Sequence, residues 1–227
     1  MLSHTFFLCN KDKEPSRYES LVEQIQTNQI KDYTFFCHIW GDEVTPEIRK
    51  QYCKTDISMR FHSRNMIDAP LLNTEISLFL NHIECLRLIK RNYNHGYFAI
   101  FESDALFYPD YSNKINTILE QAMYKRNVHI INIGEGDPNN LPKSEPIKNT
   151  LSIYHERTNK FTEGIIWTYE GVCNFLAYFD RTSDIDGPID TKIHIYSEFV
   201  GGFNIYWAYP APVYQGSRSG KFNSNIR

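Results

Sequence analysis

The segment YFAIFESDALFYPDY, Tyr97 to Tyr111, sets two carboxylates one residue apart, Glu102 and Asp104, inside an apolar and aromatic run. A buried carboxylate is costly unless it is paired, hydrogen-bonded or on a metal. Side chains at i and i+2 of a strand share a face. The spacing therefore predicts that Glu102 and Asp104 converge at the carboxyl end of a strand, where open α/β sheets hold ligands. Two carboxylates there make a hard-oxygen site for Mn²⁺ or Mg²⁺, which in turn can hold a diphosphate. Spacing alone leaves another reading open, in which both acids are solvated in a loop or cap the next turn.

The surrounding elements must place that pair. HTFFLCN, from His4, reads as a buried strand, and RYESLVEQIQTNQI, from Arg17, as a helix with Leu21, Val22, Ile25 and Ile30 near helical spacing. YTFFCHIW, from Tyr33 to Trp40, reads as a second strand, so the chain opens as a parallel strand–helix–strand unit. Asn73 is a good N-cap for a helix whose stripe is Ile76, Phe79, Leu80, Ile83, Leu86 and Ile89. Further helices are expected at 111–125 and 170–179, and strands at VHIINI, LSIYHER, GIIWTY and NIYWAYP. Region 134–149, rich in Pro, Gly and Asn, reads as a mobile loop. The segment SDIDGPIDTKIHIYSEF shows no clear period. The expected class is α/β, one domain over 1–227, with a mostly parallel sheet flanked by helices.

Composition narrows the function. The chain has 227 residues with net charge −3 and no Lys/Arg block, which argues against a nucleic-acid partner. Its five cysteines are scattered, which argues against a disulfide framework or a Cys-based zinc site, and most read as small core residues. No segment has the pattern of a signal peptide, and no apolar run is long enough to span a bilayer. A soluble, cytoplasmic protein is expected. The frequent Tyr and Phe suit a core, and also a cleft that stacks flat rings or sugars.

The chain resembles glycosyltransferase family 25, the lipopolysaccharide-type and procollagen-type galactosyltransferases. The resemblance rests on LNTEISLFLNHIECLRLI followed by FESDALF, where the family has a helix carrying Glu and His before an acid-rich Leu-Glu-Asp-Asp-Ala motif. Glu75 and His82 match the helical residues, Asn81 replaces a serine, and Ser103 replaces the middle acid. Asn10 and Arg17 match the family's opening strand. GIIWTYEGVCNFL, GPIDTKI and the closing Pro212, Gln215, Ser224 and Ile226 follow in the family's order. The resemblance implies a GT-A fold, a metal-bound sugar nucleotide at the acid motif, and an inverting transfer to an acceptor hydroxyl.

It also implies roles. Asp104 and Glu102 would hold Mn²⁺ (or Mg²⁺); His194 is a candidate third ligand by location alone, with a structural role as the plainer one. Asp190, stiffened by Pro188, would be the general base, with Glu198 as second candidate; capping the turn at Thr191 is the plainer role for Asp190. Asn10, Arg17, Glu102, Arg218 and Lys221 would meet the donor, the last two from a tail hinged at Gly216 and Gly220. Glu75 and His82 would lie on the acceptor side; a first-turn dipole partner and a core histidine are the plainer roles. The donor implied is UDP-galactose or UDP-glucose, and the acceptor a glycan or a hydroxylysine-type hydroxyl. The rival is a GT-A-like domain without turnover that binds a glycan or a partner, a reading favoured by Ser103.

Overall fold

A computed structural model describes residues 1–54, 58–62, 65–135, 151–156, 161–199 and 201–223. Among the described residues, eleven strands and six α-helices run in the order β1 (His4–Leu8), α1 (Pro15–Thr27), β2 (Tyr33–Phe36), α2 (Pro46–Tyr52), β3 (Ser58–His62), β4 (Asn65–Ala69), α3 (Asn73–Asn92), β5 (Tyr97–Glu102), β6 (Ala105–Phe107), α4 (Tyr111–Met123), β7 (Val128–Asn132), β8 (Ser152–Glu156), β9 (Gly164–Thr168), α5 (Tyr169–Thr182), α6 (Ile189–Phe199), β10 (Asn204–Tyr209) and β11 (Val213–Gln215). A short 3₁₀ turn at Gly41–Glu43 precedes α2.

Seven strands form one sheet in the order β2-β1-β5-β9-β7-β10-β8. Its alternation builds two cores. Phe6, Leu8, Phe98, Ile100, Ile165 and Trp167 face one side, packed with α3, α5 and α6. Phe7, Phe101, Ile131 and Ile166 face the other, packed with Leu21 and Ile25 of α1 and Ile115, Ile118 and Leu119 of α4. Period-two alternation with apolar residues on both faces is what a sheet covered by helices on both sides requires.

The sheet is mostly parallel but mixed: β2, β1, β5, β7 and β10 run one way, and β9 and β8 run the other. Strands β1, β2 and β5 run together, as do β7 and β10, but β9 is antiparallel to both β5 and β7, and β8 is antiparallel to β10. The reversal of β9 matters for the site, because it brings the amino end of β9 to the carboxyl end of β5. Phe101 pairs with Gly164, and Glu102 N–H donates to the Glu163 carbonyl at 3.3 Å.

Several sequence expectations shift. The cap of α3 is Leu72, not Asn73, whose side chain instead accepts from Arg49 at 2.8 Å. The period missed in SDIDGPIDTKIHIYSEF is helical: Ile189, Ile193 and Tyr196 bury one face of α6. Its β-branched residues disguise the helix. All five cysteines are free, but only Cys9 and Cys85 are buried; Cys37 is exposed. Residues 136–150, most of the expected loop, lie outside the described residues.

Candidate functional site

Strand β5 ends at Glu102, and Ser103 and Asp104 form the turn into β6. Strand alternation therefore does not extend to Asp104, but the turn still presents all three residues to one cleft of about 90 Å³ at the ends of β1 and β2. Its walls include Cys9, Arg17, Phe36, Trp40 and Asn81. A second cleft, of about 240 Å³, brings together Glu75, Glu102, Phe161, Pro188 and Asp190. Leu78, Glu102 and Gln215 line both clefts, so the two adjoin at the acid motif.

Asp104 is 4% exposed. Its Oδ2 accepts from Ser217 Oγ at 2.5 Å, and its backbone carbonyl accepts from Gly216 N–H at 2.8 Å. Gly216 is tightly enclosed: a Cβ there would lie 2.6 Å from the Phe222 ring and 2.9 Å from the Asp104 carbonyl. The tail after β11 thus packs onto the acid turn. Glu102 accepts a short hydrogen bond from Thr162 Oγ1, and its Oε1 lies 4.0 Å from His82 Nε2. Burial, then the neighbouring Asp104 charge, raises the Glu102 carboxyl well above the ordinary carboxylate range. His82 is fully buried, and neither ring nitrogen finds a hydrogen-bond partner among the described residues. Burial lowers its pKa to about 3, so the ring is neutral.

Ser103, the departure from the acid-rich pattern, is tied into a buried polar ring. Its hydroxyl donates to Glu14 Oε1 at 2.7 Å and accepts from Arg17 Nη1 at 2.8 Å, while Arg17 Nη1 also reaches Glu14 Oε1 at 2.9 Å. Arg17 Nη2 makes a short bond to the Asn223 carbonyl as well. Arg17 therefore lines the first cleft from within a network that joins α1, the acid turn and the tail. Asn10 lies just outside that cleft, where its Oδ1 holds the backbone N–H groups of Asp12 and Lys13 at 3.0 and 3.2 Å. Asn81 is a bracket for the chain after β2, accepting from His38 N–H at 2.5 Å and donating to the Ile39 carbonyl at 2.8 Å.

Asp190 sits in the first turn of α6. Its Oδ2 accepts from Phe161 N–H at 3.2 Å and its Oδ1 from Thr191 N–H at 2.7 Å. Burial raises its pKa against the pull of those bonds. A carboxylate so placed serves the helix terminus and faces the cleft at once. Glu75 likewise does both: Oε2 accepts from Leu72 N–H at 2.7 Å, and the residue lines the second cleft. Arg218 is exposed, with its guanidinium 4.7 Å from the Phe161 ring centre, beside the backbone that holds Asp190.

Three candidates stand elsewhere. Lys221 reaches Ser20 Oγ at 3.2 Å and lines a separate cleft between α1 and the start of α4. Glu198 is exposed at the far end of α6, about 12 Å along the helix from Asp190. His194 lines neither cleft at the acid motif. Among the described residues, no group of three or more His, Cys, Asp or Glu is arranged to hold a metal ion.

Sequence reasoning missed Phe161 and Thr162, and it singled out Gln215 only as part of the closing motif, with no place in the site. Only the antiparallel return of β9 and the pairing of β11 with β6 bring them to the site. No local pattern announces either. No protein-family model matches the chain, and no curated protein matches it.

Proposed function

We propose that the protein is a metal-dependent glycosyltransferase with a GT-A-like arrangement, which moves a hexose from a UDP-sugar to an acceptor hydroxyl with inversion. The observation that carries this reading is the convergence of Asp104, Glu102 and Asp190 on two adjoining clefts at the carboxyl edge of the sheet. One cleft is walled by Phe36 and Trp40 and suits a nucleoside; the other holds a buried carboxylate and suits an acceptor. The ordered motif matches to family 25 support the same assignment.

The residues fit a divalent cation completed by substrate. Asp104 Oδ1 makes no hydrogen bond among the described residues, and Glu102 adds a second oxygen donor in the same cleft. One or two carboxylates plus phosphate oxygens are the usual set for Mg²⁺, so a three-residue protein cage is not needed. When bound, the cation would neutralise the leaving diphosphate.

The remaining work falls to the chain's own residues. Asp190, its carboxyl made more basic by burial, takes the proton of the attacking hydroxyl. The Phe161 and Thr191 amides fix its orientation. Arg218, over the Phe161 ring, places positive charge beside a residue that lines the second cleft. The Glu14–Arg17–Ser103 ring holds the acid turn in place.

The reading is tested by thermal shift with UDP, Mn²⁺ and both together. A ligand bound only by the folded state raises the melting temperature. A shared site predicts that the pair stabilises more than the sum of its members; an additive or absent shift contradicts it.

A further inference from the structure

Lys192 is 1% exposed, which is exceptional for a lysine. Its Nζ lies 2.6 Å from Asp186 Oδ1 and 5.5 Å from the Tyr178 ring centre. Asp186 belongs to the link between α5 and α6. The backbone N–H of Lys192 also donates to the Pro188 carbonyl at 2.9 Å. That backbone bond is the first of the helix, so what the side chain adds is the hold on Asp186, and the short stretch it closes contains Pro188, Ile189 and Asp190.

Stability alone does not account for a buried charge here. The desolvation cost of an ion pair offsets much of its attraction, and an apolar replacement is often neutral or better. What the pair does provide is one defined path for the link, because a lysine ammonium this deep has to stay on its carboxylate. That path fixes the first turn of α6, from which Asp190 meets the Phe161 amide.

We propose that Lys192, through Asp186, is a positioning residue that holds Asp190 at the cleft. The role in transfer rests on the reading of Asp190 as general base; the effect on local order does not. A displacement of about 1 Å at a reacting group costs up to roughly 10²-fold in rate, so a mobile first turn would lower transfer while leaving the nucleotide cleft intact.

The test is Lys192→Met, which keeps length and apolar packing and leaves the half-exposed Asp186 to water. Amide hydrogen exchange is followed by mass spectrometry in the full chain, with UDP and Mn²⁺ affinity measured alongside. The expected result is exchange at Phe161 and Ile189–Thr191 faster by roughly tenfold or more, with protection of the β5 and β9 amides unchanged. UDP affinity in the presence of Mn²⁺ should stay within about threefold, whereas turnover of UDP-galactose or UDP-glucose should fall by roughly tenfold to a hundredfold without a matching change in KM. Unchanged exchange at 189–191 overturns the proposal, as does a loss that falls on KM alone. If Lys192→Met does not fold, the double variant with Asp186→Ala, which removes both charges, is read in the same way. Failure of that variant to fold would make the pair a stability element and overturn the proposal. A wild type without turnover would remove the assignment of Asp190 as base, and the exchange measurement would still decide what Lys192 does.

Discussion

The hydroxyl of Ser103 donates to Glu14 Oε1 at 2.7 Å, inside a buried ring closed by Arg17. This contact explains why a serine stands in the middle of the acid motif. The acid that balances Arg17 comes from the start of α1, and a second carboxylate at position 103 would face the first across a hydrogen-bond distance.

Ser103→Asp should therefore destabilise the fold by about 3–5 kcal/mol, the scale of an uncompensated buried charge. Glu14→Gln in the same chain should restore much of the loss, because Arg17 then balances the new acid. Urea unfolding of the two variants checks this. A stable Ser103→Asp variant, or a double variant no better than the single, would show that the ring does not exclude the acid.

Asp104→Asn keeps the size of the side chain and removes its charge. Ser217 retains an oxygen to bond, so melting temperature should change little. Metal-dependent UDP binding should weaken by at least about tenfold, as expected when a hard anionic ligand is lost. Titration calorimetry with UDP and Mn²⁺ is the measurement, and unchanged affinity would mean that Asp104 is no ligand.

Asp190→Asn separates catalysis from architecture. As general base, Asp190 acts only while the new bond forms, so UDP-sugar affinity should hold while transfer drops by roughly 10²-fold or more. If its work is confined to the end of α6, the variant should instead lose about 1 kcal/mol of stability with little effect on turnover. Parallel unfolding and product-formation assays distinguish the two.

His82 makes a pH prediction. Its folded pKa is lowered to about 3 by burial, whereas the unfolded chain takes up that proton near 6.5. Between those values the unfolded state binds more protons, so this residue makes stability fall as pH drops through 6.5. The contribution approaches about 1.4 kcal/mol per pH unit. His82→Leu should remove that slope, leaving the variant less sensitive than wild type between pH 6 and 4.5. Identical pH profiles would contradict a neutral, buried ring.

Much of this was legible in the chain itself. The apolar stripe of α3 and the buried runs around Phe6 and Ile100 were readable as a helix and strands of an α/β fold, whereas the side of the sheet each residue faces came from the structure. The Glu102–Asp104 pair marked the edge of the sheet where the two clefts meet. What stayed hidden depends on non-local pairing. Strand β9 reads the same in either direction, so its reversal, and with it Thr162 beside Glu102, has no sequence signature. Helix α6 was obscured by Ile, Thr and Gly around a helical period. The role of Ser103 requires Glu14, 89 positions away in the chain.

The most direct measurement is release of UDP from UDP-galactose and UDP-glucose by wild type and Asp104→Asn, with Mn²⁺ and with the metal chelated. An acceptor panel of simple glycosides and hydroxylysine peptides is included. The account predicts metal-dependent release with at least one of these sugar donors, stimulated by an acceptor and reduced by roughly 10²-fold in the variant. No release by wild type from either donor under any of these conditions, with UDP and Mn²⁺ still bound, would contradict it and leave a nucleotide-binding module in its place.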